Sequence, residues 1–324
     1  MKLLKLIPDN TNIKFLRWRV PFYAFSILLM AASVGLVFTK GLNLGVDFIG
    51  GQMIRVTFTE SPSAPLAEVR EEVDQLGYGE PIIQQFGKPN EISIRMKLPE
   101  GENQTALANV MSERIVSTLK SNHPDVRVDG VDSVSGKVSG ELFQSGMLAL
   151  ALAMVGISIY IWVRFEWQFG VGALFALVHD VTLTVGLFAL TQMEFDLNIV
   201  AALLTLIGYS LNDNIVVYDR VRENLKKYRR MPLPELLDLS VNETLSRTIV
   251  TSTSLLITLV ALLILGPDVI FGFTAAITLG IFVGTYSSIY MATPVLVWLG
   301  VTSDSFVPNE SRADQQDRKA RGEA

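Results

Sequence analysis

Four stretches of this chain carry no charged residue over lengths that match or exceed the thickness of a bilayer. Val20 to Phe38 runs for 19 residues, Leu142 to Val163 for 22, Thr248 to Pro267 for 20 and Val269 to Ser303 for 35. About 20 apolar residues cross the hydrocarbon core as a helix, the form in which a backbone satisfies its own hydrogen bonds without water. Two further spans are interrupted: Trp167 to Thr191 contains His179 and Asp180, and Leu197 to Tyr218 contains Asp213. The expected fold class is a polytopic α-helical membrane protein with six transmembrane helices, at 20–38, 142–163, 167–191, 197–218, 247–267 and 271–300. The hydrophobic share of 49% agrees, because one soluble core needs less. The first run is longer than the roughly 7 to 15 residues of a signal-peptide core and lacks a small-residue cleavage site, so it reads as a retained anchor.

Lys and Arg set the orientation. Lys2, Lys5, Lys14, Arg17 and Arg19 precede the first span, and seven more basic residues lie from Arg220 to Arg247. The short loops around Glu194 and Asp268 have none. By the positive-inside rule both termini are cytoplasmic, with segment 1–19, a basic loop at 219–246 and a disordered tail at 301–324 on that side. Residues 39–141 lie outside. The basic loop faces lipid headgroups, and nucleic acid is not expected, because one short basic run beside a bilayer has no reading element. There is no Cys, and His123 and His179 fall on different sides of the plan, so no metal site and no cofactor is expected.

Within the outside segment, Gln52 to Thr59 alternates like a strand and Leu66 to Leu76 has helical spacing. Pro81 to Phe86 and Glu91 to Leu98 are strand candidates, Leu107 to Leu119 is helical, and Val126 to Val134 alternates again. The order βαββαβ predicts a ferredoxin-like α+β domain between the first two spans. It contains no nucleophile beside a base and no phosphate loop, so its expected work is contact, and no enzyme activity is expected. Before it sits LGVDFIGG, where Gly45, Gly50 and Gly51 permit a turn and Asp47 accepts backbone hydrogen bonds in it: a hinge or rigid connector.

The polar residues inside the spans carry the functional reading. Asp213 lies five residues, roughly 7.5 Å, in from Tyr218. It is too short to snorkel, and an isolated acid at such depth costs on the order of 2.5 to 3.5 kcal/mol, so it faces the bundle or a wet cavity. Helical spacing places Leu206, Ser210, Asp213 and Val217 on one stripe, with Thr205, Tyr209 and Asn212 beside it. Arg247 enters the next span at about the same depth and is the expected partner, directly or through water. Asn212 and Asn214 read as hydration and hydrogen-bonding support, and His179 with Asp180 as a second titratable position. A proton whose affinity depends on the Asp213–Arg247 separation is the basis of a proton-coupled machine. The same residues also fit purely structural helix pairing.

LGVDFIGG, the His179–Asp180 pair, GYSLNDNIVVYDRVREN in the fourth span and ETLSRTIVTS in the fifth together resemble the SecD/SecF family of bacterial protein-export membrane proteins, within the resistance-nodulation-division superfamily. The resemblance runs from the first span to the sixth. It implies a bacterial inner-membrane subunit that pairs with SecD in a twelve-helix bundle and associates with the SecYEG channel. It also implies use of the proton-motive force to move an exported polypeptide across the membrane and release it outside, in the periplasm. Residue by residue, it places the proton relay at Asp213 and Arg247. Glu243 stands where Gln is usual and is expected to tune Arg247. The alternatives are a proton-coupled small-molecule or lipid exporter of the same superfamily, and a scaffold for SecD.

Overall fold

The computed structural model describes Pro8 and residues 11–85, 88–98 and 104–301. The expected end of the second strand at Phe86 and the tail from Thr302 lie outside the described residues. Helix α1 (Arg19–Lys40) leads through a short helix α2 (Val46–Ile49) into strand β1 (Gly51–Phe58), helix α3 (Leu66–Asp74), strands β2 (Ile82–Gln85) and β3 (Glu91–Met96), helix α4 (Gln104–Asn122) and strand β4 (Val126–Val134). The long helices α5 (Gly136–Arg164), α6 (Trp167–Thr191), α7 (Leu197–Lys227) and α8 (Leu233–Leu265) follow. The last span is α9 (Phe271–Ser287), a π-turn (Ser288–Ala292) and α10 (Thr293–Trp298). Six helical segments among the described residues are long and apolar enough to cross a membrane.

The sheet is antiparallel throughout, in the order β2-β3-β1-β4, which is the ferredoxin-like arrangement that βαββαβ predicts. Ile54, Val56 and Phe58 of β1 and Ile92, Ile94 and Met96 of β3 pack against Val69, Val73, Met111, Ile115 and Leu119 of the two helices. Alternation sends Arg95 to the opposite face, toward the membrane bundle.

Inside the bundle α6, α7 and α9 are central, while α1, α5 and α8 show much of their apolar surface outward, as helices bathed in lipid do. Ser135 caps α5 by accepting from the Val138 amide, and Asp196 caps α7 by accepting from Ile199 at 3.1 Å.

One expectation needs correction. Segment 219–246 is not a loop: α7 continues to Lys227 and α8 starts at Leu233, leaving five residues, 228–232, between them. Val221, Leu225, Leu236, Leu237 and Val241 are buried against each other and Phe15. That apolar stripe packs the basic end of α7 against the acidic start of α8, where Glu235, Asp238 and Glu243 lie. Asn242 adds a two-way hydrogen bond to the backbone of Ile13, and Asp238 accepts from the Leu16 amide. The sixth span runs as expected from Phe271 and carries a π-turn within it. Pro294 cannot donate an amide hydrogen, and the π-turn just before it absorbs the lost bond.

Candidate functional site

Asp213 sits 16 residues after the start of α7 and 14 before its end, about 21 Å from the latter. Arg247 is 14 residues into the antiparallel α8, so the two are level. The carboxylate is buried. Its Oδ1 accepts from Thr248 Oγ1 at 2.5 Å, while Oδ2 is buried without a partner. Ser288 of the π-turn faces the same carboxylate. Arg247 makes no direct ion pair with it; its side chain turns outward and acts on Asp213 only through its field. Consecutive helix residues diverge by about 100°, so only one of Arg247 and Thr248 can face α7 squarely. Spacing found the level, and the direct contact falls to Thr248.

The flanking residues separate in the same way. Asn212 is exposed and Asn214 fully buried, with both of its side-chain polar atoms unpartnered. Tyr209 shares a hydrogen bond with Ser252 at 2.8 Å, and Ser252 shares one with Thr285 at 2.7 Å, so α7, α8 and α9 are laced together by hydroxyls. Ser210 donates to Asp180 Oδ2 at 2.6 Å. His179 and Asp180 diverge as neighbours on a helix do, yet Nδ1 of the ring lies 2.9 Å from Oδ1 of the acid. Glu243 takes its direct contacts elsewhere than Arg247: it accepts from Asn224 at 2.8 Å and lies 3.7 Å from Arg220.

One property of this region follows from exposure rather than contact. Thr205 and Asn212 on α7 and Arg247, Thr251 and Ser254 on α8 are all exposed at the level where α1 and α5 present Leu, Ile, Val and Phe. The three hydroxyls are satisfied by carbonyls of their own helices, but a cation such as Arg247 at membrane depth does not face lipid. The chain by itself leaves this face uncovered.

The connector is a junction, not a free turn. Gly45 donates to the Phe195 carbonyl at 2.9 Å, and a Cβ there would come 2.9 Å from Oε1 of Glu194. Asp47 accepts from the Leu197 amide at 3.0 Å, so it caps the helix that carries Asp213. Gly50 and Gly51 have φ of 69° and 109°. Sequence reasoning missed the other half of this joint: Arg95 donates to the Leu44 carbonyl at 2.8 Å and lies 3.5 Å from Glu194, and Asn43 donates to Gln84 and to the Gln192 carbonyl. The outside sheet is thereby tied to the α6–α7 loop.

Burial pushes the Glu194 carboxyl up, against the pull of Arg95 and with a further push from Asp196. Burial also raises Asp196, against its bonds from Asn198 and Ile199. Acids raised in the folded state bind protons more readily there than in the opened one. Their contribution is therefore full below the ordinary carboxylate range and is lost as pH rises through the raised values. Hydrogen-exchange protection of the Phe195 and Leu197 amides, corrected for intrinsic rates, is expected to fall across that window, and Glu194→Gln to flatten most of the slope. A wild-type profile as flat as the variant's would refute the assignment.

Residues 114–302 match the family model described as protein export membrane protein SecD/SecF, C-terminal, and residues 35–62 match the SecD/SecF GG motif. The chain belongs to the SecD/SecF family. A relative named protein translocase subunit SecF, from Cereibacter sphaeroides, is 48% identical over 303 residues, covering 92% of this chain and 93% of its own. Its namesake from Rhodobacter capsulatus is 44% identical over 97% of this chain and 96% of its own. The crystal structure of SecDF, a translocon-associated membrane protein from Thermus thermophilus, superposes with a TM-score of 0.78 at 33% identity over 91% of this chain. This chain spans 40% of the length of that SecDF chain. The GG match contains the Gly45–Gly51 joint, and the SecD/SecF C-terminal match contains Asp213, Arg247 and the His179–Asp180 pair.

Proposed function

We propose that the chain is the SecF-type subunit of a proton-driven protein translocase, working with a SecD-type partner and a SecYEG-type channel to complete export of a polypeptide. Its termini lie in the cytoplasm and its α+β domain on the periplasmic side of a bacterial inner membrane, following the Lys and Arg distribution. The observation that carries the reading is Asp213: a buried carboxylate, half satisfied by Thr248, beside an exposed face that presents the Arg247 cation and the Asn212 amide where lipid would demand apolar side chains. A second six-helix bundle supplies the cover that this face lacks. Arg247, turned toward it, is placed to meet an acid of the partner and to change its distance from Asp213 as the bundles move.

One charge crossing about 150 mV releases roughly 3.5 kcal/mol. At about 1.36 kcal/mol per tenfold, that biases a two-state equilibrium by a few hundredfold. The joint built by Asp47, Glu194 and Arg95 gives α7 a route to the outside domain, so a protonation event at Asp213 has a mechanical outlet. No reacting group is needed for this work, and the chain is read as a transport subunit, not an enzyme.

The test is export of a preprotein by vesicles containing the channel, the partner and this chain. A protonophore added after the initial insertion step is expected to stop release of the polypeptide. Release that ignores the protonophore would leave only a scaffold role. Small-molecule export is the weaker reading: among the described residues an apolar groove of about 510 Å³ lies between α8 and α9 on the bundle's outer surface, lined by Leu256, Val260, Phe271 and Phe282.

A further inference from the structure

Asp213 shares the bundle interior with a second carboxylate. Asp180 on α6 is completely buried; Oδ1 lies 2.9 Å from His179 Nδ1, and Oδ2 accepts from Ser210 of α7 at 2.6 Å and from Ser287 of α9 at 2.9 Å. Three helices thus converge on one acid. A network built only to glue helices would leave few polar atoms unpaired. Here Nε2 of His179 is buried without a partner, and so are both polar atoms of Asn214, one turn beyond Ser210 on the same face of α7. Gly284, whose added Cβ would stand 3.6 Å from Asp180 Oδ2, keeps room beside the acid. Buried polar atoms without protein partners mark places for water.

The two acids are also joined by neighbours in sequence. Ser287 donates to Asp180, and Ser288, the first residue of the π-turn, lies beside Asp213 with its hydroxyl donating to the Thr285 carbonyl. Thr293 donates to the Ser288 carbonyl at 2.8 Å, which fixes the wide turn that presents both hydroxyls. Such turns recur where a helix serves a site as well as a fold. Among the described residues the other formal charge at this level is Arg247. From α1 come Tyr23 and Ser26, with Arg19 and Lys40 at that helix's two ends. From α9 comes Tyr286, its ring 6.1 Å from that of His179 and its hydroxyl 2.9 Å from Ser26. On α5 the charged residues Lys137, Glu141 and Arg164 stand toward its ends, α10 brings none, and Arg247 of α8 points outward.

We propose that the His179–Asp180 pair is a second proton-binding site in series with Asp213, linked to it through the hydroxyls of Ser287 and Ser288 and water beside Asn214. The inference rests on the proton-coupled reading of Asp213. Its ligand is a proton, accepted from the Asp213 end of the path and held on Asp180 with His179 as its hydrogen-bond partner.

Infrared titration of the full chain in lipid nanodiscs reads each protonated carboxyl by its carbonyl stretch. Two titrating bands are expected from the bundle: Asp213→Asn removes one and moves the midpoint of the other by about one pH unit, the mark of coupled sites. Asp180→Asn removes the second band, and Ser287→Ala with Ser288→Ala keeps both bands but abolishes their mutual shift. Two bands with independent midpoints, or a spectrum unchanged by Asp180→Asn, would overturn the proposal. Should Asp180→Asn fail to fold, Ser210→Ala takes one hydrogen bond from the same carboxyl and must displace its band; an undisplaced band counts against the site. A titrating Asp180 beside a silent Asp213 is a separate result: it removes the Asp213 reading and the series arrangement with it.

Discussion

Asp213→Asn is expected to insert into the membrane normally and to lose the proton-gradient-dependent stage of export. Asn keeps the shape of Asp and an oxygen that accepts from Thr248, so the 2.5 Å contact between α7 and α8 survives. It also spares the bundle a buried carboxylate, which by itself is worth on the order of 2.5 to 3.5 kcal/mol in insertion. What disappears is titration. If one proton per cycle drives the change, the loss approaches the few-hundredfold bias of a full membrane potential, about 3.5 kcal/mol. Arg247→Met is expected to match it for a different reason: the guanidinium is exposed and bonds nothing in Asp213, so its removal leaves the fold untouched and takes away its field and its meeting with the partner's acid. Thr248→Val separates the two ideas. It strips Oδ1 of its partner without changing any formal charge, so it alters how tightly the proton is held and leaves residual gradient-dependent export. The measurement is preprotein release from vesicles with and without a protonophore. Wild-type release by Asp213→Asn and Arg247→Met would show that the pair is structural glue.

The membrane architecture was readable because lipid is an unforgiving solvent: runs without charge, such as Leu142 to Val163, have few other uses. Helical arithmetic also placed Asp213 and Arg247 at one level, because rise per residue does not depend on context. It did not say which of two adjacent side chains, Arg247 or Thr248, turns inward, since rotation is set by packing between α7 and α8. The basic stretch after Tyr218 hid helix ends for a related reason. Its buried stripe of Val221, Leu225, Leu236 and Leu237 is short and diluted by Lys and Arg, and only the partner helix makes it worth forming. The joint was half legible. Gly45, Asp47, Gly50 and Gly51 announce a special backbone, but the amide that Asp47 caps is 150 residues away, and Arg95 and Glu194 carry no local signature at all. The π-turn left one trace, Pro294, whose missing donor calls for an adjustment somewhere in the preceding turn.

The joint also carries the largest expected effect of any single methyl group in the outside domain. Gly51 has φ of 109°, and a Cβ on it would stand 2.5 Å from the Met96 carbonyl oxygen, which belongs to the backbone and cannot swing aside. Gly77, with φ of 74° and nothing within 4 Å, isolates the conformational part of that cost. Strained backbone alone is worth about 1 to 3 kcal/mol, and both Gly77→Ala and Gly51→Ala incur it. Only Gly51→Ala must also part β1 from β3 where Gln52 faces Met96, next to the Gly51–Val134 pairing with β4. Exchange protection at that end of β1 and β3 should therefore fall about tenfold or more below that of Gly77→Ala, a difference of about 1.36 kcal/mol per tenfold. Because Arg95 lies one residue from Met96 on β3, the displacement reaches the Leu44 carbonyl and Glu194, and through them the loop that starts α7. Gly51→Ala should then lower gradient-driven export while Asp213 still titrates. If protection falls but export does not, the outside domain is carried by the bundle without being driven by it.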